Sequence, residues 1–113
     1  MTGAGRVLRL GRVNATETLQ LSDEELVRRV ADNDREALGR LHTRYRALLI
    51  GLAARQLDHP SAEEIVQDVF LTVWQRASSF DPGRGGFRAW VIQITRYRVI
   101  NELRRRRVKS GAV

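Results

Sequence analysis

The chain has 113 residues, 42% of them apolar, and a net charge of +7, which is enough material for one domain with one modest core. It contains no cysteine, so a disulfide framework and a thiolate zinc site are excluded, and a reducing compartment is favoured. No segment approaches the roughly 20 apolar residues of a membrane span, so we expect a cytoplasmic protein without membrane insertion.

Residues 1–20 contain three glycines and show little hydrophobic periodicity. We therefore expect them to form a disordered lead-in before the first predicted helix. Ser22 followed by Glu25 forms a capping box, which predicts the start of a short amphipathic helix. Asp34 is expected to cap a second, longer helix, because apolar residues recur after it at intervals of three and four.

A third helix is predicted from Ala62 to about Ala77, opened by a second capping box of Ser61 and Glu64. One broad face of it is apolar, whereas the opposite face places Leu71 among polar side chains. That outward face comprises Glu64, Gln67, Asp68, Leu71 and Gln75, with Trp74 on the flank. Leu71 either packs on a neighbouring helix or is the apolar centre of a partner surface with a polar rim.

The segment after the third helix, residues 78–86, contains Pro82 and three glycines and is predicted to be a loop. A last helix is expected from Phe87 to about Arg107. No segment alternates with a period of two residues. The predicted fold class is therefore all-α, a compact helical bundle of about four helices with one Gly/Pro loop before the last helix.

The end of the chain carries its net charge, because residues 84–109 hold nine basic residues against one acid, Glu102. Phe87, Trp90 and Tyr97 are interleaved with these cations, although Trp90 shares an apolar stripe with Phe87 and is expected to be mainly core. Cations that neutralise phosphates and rings that stack on bases indicate a nucleic-acid surface. The consecutive arginines near the end could also simply complement the helix dipole.

Two long motifs carry a family resemblance. Residues 62–74 (AEEIVQDVFLTVW) closely resemble the AED-x-x-Q-E-x-F-L-x-x-W signature of bacterial sigma factors of the extracytoplasmic-function group. Residues 87–94 (FRAWVIQI), followed by LRRR at 103–106, resemble the family's F-x-x-W-L-x-x-I-A and L-R-R-R stretches. The opening residues 23–45 match as well. The resemblance covers about residues 21–109 and identifies them as a sigma region 2 domain.

The resemblance implies a domain that brings core RNA polymerase to promoters. It implies docking on the clamp coiled coil of the largest polymerase subunit, and melting or capture of the non-template strand of the minus-ten element. The expected docking residues are Glu64, Gln67, Asp68, Leu71, Trp74 and Gln75. The expected DNA-binding residues are Phe80, Arg84, Phe87, Arg88, Arg96, Tyr97, Arg98, Asn101, Arg104 and Arg105. An anti-sigma factor is a further implied partner, and no cofactor, metal or small-molecule substrate is expected.

The chain departs from the family pattern at Thr95, Tyr97 and Asn101 in the last predicted helix, and also in its length. Tyr97 stands where the family often has the Asn that is associated with a flipped minus-ten base, so stacking could replace hydrogen bonding there. The family also continues into a helix-turn-helix domain, region 4, whereas this sequence stops at Val113 after a short tail, residues 110–113. We expect a piece of a longer protein, with a naturally short member as the alternative.

Two other classes of function have some support in the sequence. Acidic pairs and two histidines could suggest a metal-dependent enzyme, yet no Glu-x-x-His, P-loop or His-Glu-x-x-His motif is present. The acidic pairs lie in predicted first helical turns, where capping explains them, so we predict no enzyme. A generic nucleic-acid-binding module without polymerase would explain the basic end but would leave the face around Leu71 without a role.

Overall fold

A computed structural model describes residues 21–111 of the chain. Four helices follow one another: α1 (Asp23–Ala31), α2 (Arg35–Ala54), α3 (His59–Arg76) and α4 (Phe87–Lys109). Two 3-10 turns, Ala77–Ser79 and Pro82–Arg84, lie in the loop between α3 and α4. Among the described residues there is no strand, which confirms the all-α fold class. The predicted lead-in, residues 1–20, and residues 112–113 of the predicted tail lie outside the described part.

The first two helices begin where the sequence predicts. The Ser22 hydroxyl oxygen accepts the Glu25 N–H at 3.0 Å, and the Asp34 carboxylate accepts two N–H groups of the first turn of α2. Between them, Asn33 ends α1 in the left-handed region at φ 69°, a conformation that Asn tolerates better than most residues. The side chains at this junction therefore satisfy helix-end groups that would otherwise lack partners.

The third helix begins earlier than predicted, because its N-cap is Asp58 and not Ser61. The Asp58 carboxylate accepts the Ser61 N–H at 3.2 Å, so Ser61 belongs to the first turn. Pro60 fits inside that turn, where its missing N–H costs nothing. The predicted capping box of Ser61 and Glu64 is therefore wrong, and the first turn of α3 includes Pro60.

The core lies between the apolar face of α3 and the other three helices. The stripe predicted from periodicity is buried throughout: Ala62, Ile65, Val66, Val69, Phe70, Val73 and Ala77. Leu26 of α1, Leu49 of α2 and Val91 of α4 are fully buried in the same cluster. Thr95 of α4 is also fully buried, and its hydroxyl donates to the Val91 carbonyl at 2.8 Å, so that this polar group keeps a partner.

The cap of α3 can be tested by substitution. Replacing Asp58 by Ala should lower the free energy of unfolding, because the Ser61 N–H and hydroxyl lose their acceptor. Glu64→Ala should leave the free energy of unfolding nearly unchanged. If Glu64 had a capping role, both variants would lower it. Urea unfolding followed by circular dichroism measures the two effects.

Candidate polymerase face and nucleic-acid grooves

The outward face of α3 is accessible to a partner. Its polar members, Glu64, Gln67, Asp68 and Gln75, are all exposed. At its centre the Leu71 side chain is 58% exposed, so it does not pack on a neighbouring helix. Trp74, expected on the flank, is half-buried against the core. The face is thus an exposed apolar residue inside a polar rim, which is the composition of many protein interfaces.

A groove runs between α3 and α4, with a volume of about 700 Å³. Its lining from α3 is Ile65, Asp68, Thr72 and Arg76, and its lining from α4 is Trp90, Gln93, Ile94, Tyr97, Arg98, Asn101, Glu102 and Arg105. We call it the helix groove. It brings together four of the predicted DNA-binding residues, Tyr97, Arg98, Asn101 and Arg105. The Tyr97 ring is 66% exposed and can be reached by a flat ligand.

A second groove, of about 350 Å³, lies against the loop before α4. Its lining is Ser79, Phe80, Asp81, Arg84, Gly85, Gly86, Ala89, Trp90 and Gln93. We call it the loop groove. It shares Trp90 and Gln93 with the helix groove, so the two form one path from the loop to the middle of α4. Gly85, at φ 118°, has a backbone conformation that favours glycine.

Four aromatic rings pack at the start of α4. Phe87 is fully buried, with its ring centroid 5.5 Å from Tyr45, 6.2 Å from Phe80 and 5.8 Å from Trp90. The expectation that Phe87 contacts DNA is therefore wrong for its side chain, because no base can reach it. Phe80 and Trp90 are half-buried, 5.0 Å apart, and line the loop groove. Sequence reasoning assigned Trp90 to the core and missed its place in both grooves.

Tyr45 connects this cluster to α1. Its hydroxyl donates to the Asp23 carboxylate, which also accepts from Arg44 at 2.9 Å. Burial, followed by the bond to Asp23, raises the pKa of Tyr45 to about 12, although the nearby Arg88 guanidinium acts in the opposite direction. Arg88 is itself exposed on the first turn of α4. The predicted phosphate contact Arg88 is thus anchored beside the cluster and still open to solvent.

Arg98 joins the two candidate surfaces. Its guanidinium donates to the Thr72 hydroxyl at 2.8 Å and lies 3.9 Å from the Asp68 carboxylate. Asp68 belongs to the outward face of α3 and also lines the helix groove. Arg98 is therefore half-buried and paired within the domain, and its guanidinium does not extend freely into solvent. Thr72, which holds it, was not singled out from the sequence.

Much of the basic end is engaged inside the protein. Glu102 accepts two hydrogen bonds from Arg105, at 3.0 and 2.6 Å, and one from Arg106 at 2.8 Å. Arg106 also donates to the Ser61 hydroxyl at 2.7 Å, which ties α4 to the first turn of α3. The bonds from Arg105 and then Arg106 lower the pKa of Glu102 to about 2. Arg105 is thus partly neutralised, although it was predicted to bind DNA.

The remaining predicted cations are distributed over the domain. Arg84 is exposed at the loop groove. Arg104 is exposed on α4 and, within residues 21–111, makes no hydrogen bond or ion pair and lines neither groove. Arg96 lies on the other side of α4, at a small cavity shared with Leu52 and Arg55 of the α2 end. The structure therefore does not bring Arg96 and Arg104 into the two grooves.

Comparison with known proteins defines the class of this domain. The chain belongs to the Sigma-70 region 2 family, whose model matches residues 41–108. It is 36% identical over 80 residues to an ECF RNA polymerase sigma factor SigK of Mycobacterium sp. (strain KMS), covering 70% of this chain and 42% of that protein. The SigK of Mycobacterium tuberculosis (strain ATCC 25177 / H37Ra) is 32% identical over 96 residues, which cover 79% and 51% of the two chains.

A solved structure agrees with this assignment. An engineered region 2 of sigmaE in complex with GTAAAA has a TM-score of 0.68 and 31% identity, over 74% of this chain and 87% of that chain. The resemblance to region 2 of the extracytoplasmic-function group is thereby confirmed. The chain spans about half or less of the length of the curated relatives named above. Within residues 21–111, none of the helices is sufficiently long and apolar to cross a membrane.

The Glu102 ion pairs give a pH-dependent prediction. Since its folded-state pKa is lowered from 4.5 to about 2, the stabilisation is full above about pH 4.5 and is lost as the pH falls towards 2. Glu102→Gln should therefore reduce the free energy of unfolding at pH 7 by less than about 1 kcal/mol, and by clearly less at pH 3. Urea unfolding of the wild type and the variant at both pH values measures this loss of stability. A loss of the same size at pH 7 and pH 3 would contradict the role of the Glu102 ion pairs.

Proposed function

We propose that this domain directs core RNA polymerase to promoters by docking on the clamp coiled coil and holding the non-template strand of the minus-ten element. The observation that supports this most is the path formed by the helix and loop grooves, in a fold whose solved relative was determined in complex with GTAAAA. The outward face of α3 lies next to that path and supplies the second surface that the proposal needs.

The polymerase would bind the outward face of α3. An exposed leucine ringed by carboxylates and amides offers apolar burial at the centre and hydrogen bonds or charge pairs at the rim. Two of the carboxylates are Glu64 and Asp68, so a complementary helical partner would carry basic residues. Since the opposite side of α3 is core, the helix presents this face without rearrangement of the domain.

The DNA strand would lie along the two grooves. A base edge cannot be read inside an intact stack unless unstacking energy is supplied, so a pocket that accepts an unstacked base favours single strands. Tyr97 provides an exposed ring for stacking, and Arg84 and Arg88 lie on the loop side where phosphates would pass. Buried Phe87 supports the half-buried Phe80 and Trp90 without contact to the strand.

A generic nucleic-acid-binding module without polymerase remains the alternative. It would use the same grooves but would give no role to Leu71, whose exposure in a ring of polar residues favours a protein partner. The proposed anti-sigma partner and the cytoplasmic location are supported only by the resemblance to the extracytoplasmic-function group.

The docking face can be disrupted without changing the core. Leu71→Arg combined with Gln67→Ala should abolish binding to an isolated clamp coiled-coil fragment, measured by pull-down, while the melting temperature changes little because both side chains are exposed. Ile100→Arg is the matched control, because it places the same charge at an apolar residue of α4 that is 51% exposed. Retained binding of the double variant, or loss of binding by the control, would exclude this face.

In the proposed DNA surface, the Tyr97 ring and an arginine cation should contribute to binding in different ways. Tyr97→Ala should weaken binding of a single-stranded minus-ten oligonucleotide by about 1–3 kcal/mol with little change in salt dependence, because stacking releases few ions. Arg84→Ala should weaken all oligonucleotides alike and flatten the salt slope by about 0.7, because Arg84 lines the loop groove and would neutralise one phosphate. Fluorescence anisotropy over a salt series distinguishes the two effects. A change of sequence preference in Arg84→Ala, with only a salt effect in Tyr97→Ala, would reverse the roles.

A further inference from the structure

The first turn of α4 lacks a cap of its own. Its N-cap residue is Gly86, which has no side chain to accept an N–H bond, whereas α1, α2 and α3 are capped by Ser22, Asp34 and Asp58. An uncapped helix start that carries a binding site is prone to fray, because its first N–H groups have no partner in the helix. Residues of α4 near this start line both grooves, so fraying there would deform them.

The missing acceptor comes from α1. A carboxylate oxygen of Glu24 lies 2.9 Å from the Phe87 backbone nitrogen and accepts its N–H across 63 residues of sequence. Phe87 is the fully buried ring on which Phe80 and Trp90 pack, and those two rings line the loop groove. The bond therefore fixes the residue that supports the groove. Next to Glu24, Asp23 holds Tyr45, the other ring in contact with Phe87.

We propose that Glu24 is a positioning residue of the DNA site, which holds the start of α4 and the loop groove in their binding geometry from outside the nucleic-acid surface. The part of this inference that concerns DNA rests on the proposed function. Glu24 itself lines neither groove and does not belong to the outward face of α3. We therefore expect its effect on DNA binding to be indirect and its effect on polymerase docking to be absent.

Electrostatics and positioning predict opposite results for the loss of this carboxylate. Removing any negative charge from a nucleic-acid-binding domain should, on charge alone, strengthen binding to DNA. If Glu24 positions the groove, Glu24→Ala should instead lower the affinity for the oligonucleotide by about fivefold, because the helix start loses its cap. Glu25→Ala is the matched control, because Glu25 is the adjacent acid and pairs with Arg28 on the surface at 2.6 Å.

A second-site substitution provides a rescue. Gly86 has ordinary extended backbone angles, φ −79° and ψ 168°, that suit a serine N-cap. A Cβ atom placed there would meet only the Glu24 carboxylate, at 3.4 Å, and that oxygen is absent from Glu24→Ala. Gly86→Ser in the Glu24→Ala background should therefore cap α4 from its own chain. Glu24→Gln keeps an acceptor oxygen, so its affinity for the oligonucleotide should stay within about twofold of that of the wild type.

The experiment combines oligonucleotide anisotropy with amide hydrogen exchange on the full chain. We expect Glu24→Ala to bind the single-stranded minus-ten oligonucleotide about fivefold more weakly and to exchange the Phe87 and Trp90 amides faster. Because Gly86 itself lines the loop groove, the rescue by Gly86→Ser is measured by exchange alone, which it should slow again, and clamp binding should be unchanged throughout. Unchanged exchange in Glu24→Ala, or faster exchange with unchanged affinity, would overturn the role of Glu24. Absence of oligonucleotide binding by the wild type would instead overturn the proposed function, and the exchange result would still decide whether Glu24 holds α4.

Discussion

The burial of Phe87 is the constraint on which the candidate site depends. Its ring is fully buried against Tyr45, and its backbone N–H is held by Glu24, so the first residue of α4 is fixed from two earlier helices. The loop between α3 and α4 must therefore close onto this point, and Gly85 at φ 118° allows it to do so. From there α4 runs beside α3, and the space between them becomes the helix groove.

The positive charge of the chain has two different uses in the folded domain. Arg105 and Arg106 are bound to Glu102 within α4, and Arg106 also reaches Ser61 at the start of α3, so Arg106 ties the two helices together. Arg84 and Arg104 are exposed and available to phosphates. Fewer free cations than the sequence suggests would make the electrostatic contribution to the proposed DNA binding smaller, so stacking and groove shape would have to contribute more.

The helices and their faces could be predicted because their signals are local. A period of 3.6 residues placed the buried stripe and the outward face of α3, and Ser22 and Asp34 are strong caps by residue type alone. The start of α3 differs from the prediction because Asp58 and Ser61 are both good caps, and which of them caps the helix depends on how Pro60 fits the first turn. The partner of Arg105 could have been inferred, since Glu102 precedes it by three residues.

Features that depend on contacts between distant segments could not be predicted. Phe87 lies on the apolar stripe of a basic, aromatic helix, a pattern that fits both a core position and a nucleic-acid surface. Its packing on Tyr45 shows that it is core. The bond from Glu24 to α4 spans 63 residues, and Glu24 by itself reads as an ordinary first-turn acid of α1. Likewise, the contact of Arg98 with Thr72 appears only when α3 and α4 are side by side.

The central claim is that the outward face of α3 and the two grooves serve polymerase and DNA as separate surfaces of one domain. The most direct measurement is the affinity of a labelled single-stranded minus-ten oligonucleotide for the domain with and without a saturating clamp coiled-coil fragment. We expect a ternary complex in which the oligonucleotide binds at least as tightly as it does to the domain alone. Displacement of the oligonucleotide by the clamp fragment, or failure of the fragment to bind at all, would contradict it.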